Sequence, residues 1–164
     1  QSKYGWVDKG SSYLLSDILA AILYGQFQKM DEITTLRSKV TKAYHELLKP
    51  FVKKKYVTTP SISCTENSNH HAYWCIFDSI ENRRNFLANL KSIFEINAYS
   101  GYVPLHTKKK GIELGYRPED LPITEDIASR VVRLPIYPDL GKSDGDLTYV
   151  IKSMRSVLNG IYHL

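Results

Sequence analysis

The spacing of apolar residues along this chain changes repeatedly, and each change predicts an element. The longest pattern runs from Asp17 to Lys49 without a proline. Ser16 serves as its N-cap, Asp17 puts negative charge on its first turn, and Pro50 is expected to stop it. A helix of that span is about 50 Å long. Its halves differ. The second, DEITTLRSKVTKAYHELLK, carries the stripe Ile33, Leu36, Val40, Tyr44 and Leu47 and needs one neighbour. The first, ILAAILYG, is apolar or small on every face, which predicts burial all round. Only sixteen residues precede Asp17, too few to cover it. A membrane span needs about 20 apolar residues, and this run stops at Gln26, Gln28 and Lys29. The expectation is a missing partner surface, either another chain or the remainder of a larger protein.

Beyond Pro50, a basic turn leads into YVTTPSIS, read as extended and partly exposed. HHAYWCIF (70–77) is short and dense in aromatic and apolar residues, which predicts a buried strand with His70 and His71 on opposite faces. SIENRRNFLANLKSIF (79–94) predicts a helix capped by Ser79, with Phe86, Leu87, Leu90, Ile93 and Phe94 on one side. EINAYSGYVPLH (95–106) reads as a second strand, broken near Gly101 and stopped by Pro104. Residues 107–123 read as a polar loop, and TEDIASRVV (124–132) as a short helix capped by Thr124. RLPIYP (133–138) is a brief strand. The last helix, within 143–162, presents Leu147, Val150, Ile151, Met154 and Leu158 to the core. This order predicts an α+β layer, with helices packed on a small sheet.

Composition narrows the class without naming a reaction. At 164 residues and 43% hydrophobic the chain suits one soluble domain with a real core. The first residues lack the charged-then-apolar order of a signal peptide. The opening Gln suggests a natural N-terminus further upstream. Cys64 and Cys75 make no disulfide framework, which points to a reducing cytosol. The net charge of +5 gathers partly in Lys53–Lys55 and Lys108–Lys110. These runs read either as solvated loops or as attraction to phosphate. No nucleic-acid motif accompanies them, so nucleic acid is not expected as a partner. His70, His71, His106 and the cysteines lack the CxxC, HxxxH or HExxH spacing of a metal site. From the residues alone, His71 and His106 are polar groups at strand ends, satisfied by hydrogen bonds.

Four stretches in order, WVDKGSSYLLSDILAAILYGQF, NHHAYWCIF, GYVPLH and RVVRLPIYPDL, together resemble the C-terminal part of the DegT/DnrJ/EryC1/StrS sugar aminotransferases. Those are pyridoxal-phosphate (PLP) enzymes with the aspartate aminotransferase fold. GSSYLLSD is most similar to the GSSYLPSD of the branch that aminates C4 of dTDP-4-keto-6-deoxyglucose for cell-surface polysaccharide, where most of the family has a GxNxRxSD pattern.

The resemblance implies a small C-terminal domain of that fold at 50–164, preceded by an interdomain helix at 16–49. A leading segment, 1–15, would reach the active site of a partner subunit. It further implies a cytoplasmic homodimer, glutamate as amino donor, a nucleotide-sugar substrate and no membrane partner. The lysine that forms the Schiff base with PLP would lie upstream, so no catalytic residue is expected here and the chain alone should be inactive. Ser12 and Tyr13 would approach the cofactor, Ser12 standing where the family has asparagine. Leu14 replaces a common arginine. His71, Tyr102 and His106 would line the sugar-nucleotide pocket, with Lys108–Lys110 as compensating cations near the diphosphate. The alternative is a non-catalytic nucleotide- or protein-binding module derived from the same small domain.

Overall fold

The computed structural model of the chain describes residues 14–61 and 68–164. The expected long helix is two helices, α1 (Asp17–Phe27) and α2 (Met30–Lys53). Ser16 caps α1 as predicted, its hydroxyl accepting from the Leu19 N–H. At the break, the Gln28 N–H still reaches the Tyr24 carbonyl at 3.3 Å, but Lys29 N–H turns to Gln26 at 3.0 Å. That tightened step ends the α-helical ladder. Pro50 does not stop α2, which continues for three residues beyond it to Lys53. The proline costs the Glu46 carbonyl its helical partner, yet Glu46 and Pro50 both lie on the exposed face, where water can serve that oxygen. Leu47, Leu48 and Phe51 on the other face are buried and carry the helix onward.

Two compact units result, one holding α1 with Gly101–Ser129, the other Glu32–Ser100 with Arg130–Leu164. The second contains the sheet, four antiparallel strands in the order β1-β2-β4-β3. These are β1 (Val57–Thr58), β2 (Tyr73–Phe77), β3 (Tyr99–Ser100) and β4 (Val131–Leu134). In β2 the alternation is strict: Tyr73, Cys75 and Phe77 are buried while Trp74 and Ile76 are half-buried. Register places Tyr73 opposite Leu134 and Cys75 opposite Val132, so the buried residues of both strands share one face. Arg130 clamps the end of this pair, donating to the Phe77 carbonyl.

Helix α3 (Ile80–Phe94) starts at the predicted Ser79 cap and packs on β2 and on the final helix α7 (Asp144–Tyr162). Its buried stripe is Phe86 and Leu90, with Leu87 and Phe94 against the core; Ile93, expected in that stripe, is 63% exposed. Helix α7 buries Leu147, Val150, Ser153, Met154, Val157 and Leu158. Tyr162 at its end stacks on Tyr56 at 4.1 Å, and the one proton of its hydroxyl is shared between the Asp78 carboxylate at 2.9 Å and the Tyr56 carbonyl at 3.1 Å. Tyr162→Phe keeps the stack and loses that shared hydrogen bond. Chemical denaturation should show a loss of about 1–2 kcal/mol; an unchanged midpoint would mean water already competes for that hydroxyl.

The second expected strand shrinks to Tyr99–Ser100, because beyond Gly101 the chain leaves the sheet. The stretch read as a polar loop holds α4 (Lys109–Glu113) and a 3-10 turn at Pro118–Asp120. Helix α5 (Pro122–Arg130) begins before Thr124, with Pro122 at its first position, where a missing N–H is harmless. Thr124 is therefore inside the helix and not its cap. A five-residue helix, α6 (Pro138–Lys142), precedes α7, and Gly141 lies directly against the Leu36 backbone of α2.

Every one of the eleven residues of α1 is exposed, with Ile18 at 75% and Ile22 at 60%. The uncovered apolar helix that the sequence pattern demanded is thus present. Among the described residues no helix is long and apolar enough to cross a membrane.

Candidate functional site

In the unit containing Gly101–Ser129, the residues PLHT form a 3-10 turn, Leu105–Thr107, that His106 occupies at 6% exposure. Thr107 closes the turn by donating to the Pro104 carbonyl. Gly111 in α4 lies so close beneath that a Cβ there would stand 2.5 Å from the carbonyl oxygens of Leu105 and His106. His106 Nε2 faces Glu125 Oε1, from the first turn of α5, at 3.2 Å. The distance is that of an ion pair, but the two atoms are off the line of a hydrogen bond, and both are sealed from solvent without another partner. Sequence reading missed Glu125 and Gly111. An acidic residue in the first turn of a helix looks like ordinary dipole compensation, and a lone glycine in a polar stretch looks like a loop residue.

Tyr102, in the same unit, is 62% exposed. Lys109 and Lys110 belong to α4 and both approach Glu113, Lys110 at 2.8 Å, so two of the three run lysines have a carboxylate neighbour. Ser12 and Tyr13 lie outside the described residues.

His71 belongs to the other unit. Neither histidine of the pair is on the strand, which starts at Tyr73. His70 has φ +48° and is buried, while His71 is exposed. The left-handed turn at His70 replaces the strand alternation that would have set them on opposite faces. Asn69 shapes this turn: its side-chain oxygen accepts from the His71 backbone N–H at 3.1 Å and lies 2.9 Å from His71 Nδ1. A donating Nδ1–H there leaves Nε2 of His71 as a lone-pair acceptor.

A second polar group lies under β2. Tyr73 hydroxyl and His45 Nδ1 are hydrogen-bonded at 3.1 Å, and His45 Nε2 is buried without a partner. Burial pushes the Tyr73 hydroxyl up and holds both His45 and His70 below the usual imidazole range; the nearby Lys42 lowers His70 further, and His70 in turn lowers His45. The neutral rings fit this site, so folding favours the deprotonated form. Their contribution is complete above the unfolded value of about 6.5 and is lost as pH falls through the lowered folded values. Unfolding free energy should therefore decline below about pH 6.5, by at most about 1.4 kcal/mol per pH unit for each ring. His45→Gln should flatten that slope, and denaturation at several pH values would show an unaltered slope if the assignment is wrong. Cys75 is buried and its thiol is pushed up to about 12 by burial, which makes it a packing residue.

Among the described residues no group of His, Cys, Asp and Glu can hold a metal. A sequence model of the DegT/DnrJ/EryC1/StrS aminotransferase family matches residues 1–155. The dTDP-3-amino-3,4,6-trideoxy-alpha-D-glucose transaminase of Micromonospora megalomicea is 25% identical over 93% of this chain and 40% of its own length. The aminotransferase from Psychrobacter cryohalolentis superimposes with a TM-score of 0.79 at 15% identity, over 99% of this chain and 44% of that one. NtdA from Bacillus subtilis, solved with bound cofactor PMP, matches with a TM-score of 0.64 at 21% identity, over 77% of this chain and 28% of its own. The chain spans about 40% of the length of the curated relatives it matches. The matched part of the solved structures has the fold found here, helices on a small antiparallel sheet.

Proposed function

We propose, from the premise that this chain belongs to the DegT/DnrJ/EryC1/StrS aminotransferase family, that it is the C-terminal part of a sugar-nucleotide aminotransferase. The intact enzyme would pass an amino group from glutamate to C4 of dTDP-4-keto-6-deoxyglucose, in the cytoplasm and as a homodimer. The observation that carries this reading is α1: eleven exposed, largely apolar residues on a chain that spans two-fifths of its relatives. An apolar helix of that kind needs cover, and the rest of a longer protein and its partner subunit supply it. On this view residues 1–15 lead towards the partner's site, residues 16–49 link two domains, and residues 50–164 are the smaller one. The C4 keto-sugar rests on GSSYLLSD.

PLP, when bound, supplies the electron sink that lets an amino group move between carbon skeletons. The described residues do not fit its covalent anchor. None of their lysines is buried; Lys39 is tied to Asp144 and Lys110 to Glu113. On the proposed reading attachment belongs upstream, and this chain contributes to the walls of the site. His71 and Tyr102, both exposed residues, would meet the sugar nucleotide. His106 is a further polar contact to the same substrate, and Ser12 and Tyr13 approach the cofactor. The test joins this chain to its upstream region. It should then absorb as a PLP enzyme and aminate dTDP-4-keto-6-deoxyglucose from glutamate. PLP binding without turnover of that sugar would overturn the substrate assignment, and no PLP binding would overturn the enzyme.

A further inference from the structure

We infer that Glu125 is a positioning residue for His106, fixing which nitrogen of the imidazole carries the proton. Oε1 and Nε2 stand 3.2 Å apart, both shut off from solvent, and neither has another partner. A buried polar atom left unmet costs about 1–3 kcal/mol. The terminal torsion of a glutamate is soft, so a small rotation of the carboxylate brings the two atoms into line. An ionised carboxylate only accepts hydrogen bonds. The pair is therefore satisfied when Nε2 is the donor, which leaves Nδ1 as the nitrogen free to meet what the ring serves. The rest of the pair's setting resists other arrangements. The backbone of His106 is pinned from below by Gly111, and α5 places Glu125 from its first turn. A carboxylate behind an imidazole is a general device for orienting a working histidine.

This deepens the proposed function and rests on it only for the activity arm of the test. Ring-nitrogen spectra of the isotope-labelled 164-residue chain at neutral pH, with His106→Gln for assignment, read the tautomer directly. The wild-type ring should carry its proton on Nε2. Glu125→Gln keeps an acceptor oxygen and should preserve that state; Glu125→Ala should move the signals towards those of a ring exchanging between tautomers. A wild-type proton on Nδ1, or unmoved signals in Glu125→Ala, would overturn the inference. Should the alanine variant fail to fold, the wild-type and glutamine spectra still decide. In the intact enzyme, Glu125→Ala should raise KM for the sugar nucleotide about tenfold while Glu125→Gln stays near wild type. An intact enzyme without aminotransferase activity would count against the proposed function, and the spectra would still decide the role of Glu125.

Discussion

Gly111→Ala will dislodge the turn that carries His106. The new methyl carbon would stand 2.5 Å from two backbone carbonyl oxygens and 2.6 Å from the Cα of His106. Real contacts of that kind do not fall below about 3 Å, and backbone cannot swing aside as a side chain can. Either α4 lifts away or the Leu105–Thr107 turn is pushed off. Both break the approach of His106 to Glu125, and the cost is on the order of 3 kcal/mol for this unit. The neighbouring bonds transmit the shift, since Leu114 and Tyr116 both donate to the Gly111 carbonyl. Hydrogen exchange should rise across 105–116, and the ring signals of His106 should move. Gly160→Ala is the control: nothing lies within 4 Å of that position in α7, and a helical alanine there should be neutral or stabilising by about 1 kcal/mol. A Gly111→Ala chain as stable as wild type, with His106 unmoved, would show that the close approach has slack.

Charging α1 should decide the state of association. Leu19, Ile22 and Leu23 are 53%, 60% and 45% exposed. With about half of its surface already covered, each would gain about 1–1.5 kcal/mol on full burial against a partner. Apolar surface of this extent is rare on a monomer, so the 164-residue chain should self-associate as its concentration rises. Leu19→Glu, Ile22→Glu and Leu23→Glu together should return it to a monomer with α1 still helical, because glutamate is a good helix former and Leu19 lies in the first turn, where negative charge suits the dipole. In the intact enzyme the same triple variant should prevent assembly and with it activity. Sedimentation of both forms is the measurement. A wild-type chain that stays monomeric at high concentration, beside a triple-variant enzyme that still assembles, would remove the case for a covered α1.

Elements whose signal is local were legible in the residues. Ser16 and Ser79 cap α1 and α3 with their own hydroxyls, and the stripe of Leu147, Val150, Met154 and Leu158 does face the core. The density of aromatic and apolar residues in HHAYWCIF made β2 readable, and the structure adds that Tyr73, Cys75 and Phe77 are its buried face. Elements set by distant neighbours were misread. Pro50 looked like a stop, but the burial of Leu47, Leu48 and Phe51 keeps α2 going past it. His70 and His71 looked like strand residues, but Asn69 and a left-handed turn take them off the sheet.

By itself the sequence determined the α+β layering, the unsheltered helix at the front and the family, because periodicity, caps and ordered motifs are written in adjacent residues. Only the tertiary structure decided which polar groups meet. Glu125 reaches His106 and Gly111 lies beneath it because folding brings α5 and α4 to one turn, and no spacing along the chain encodes that approach.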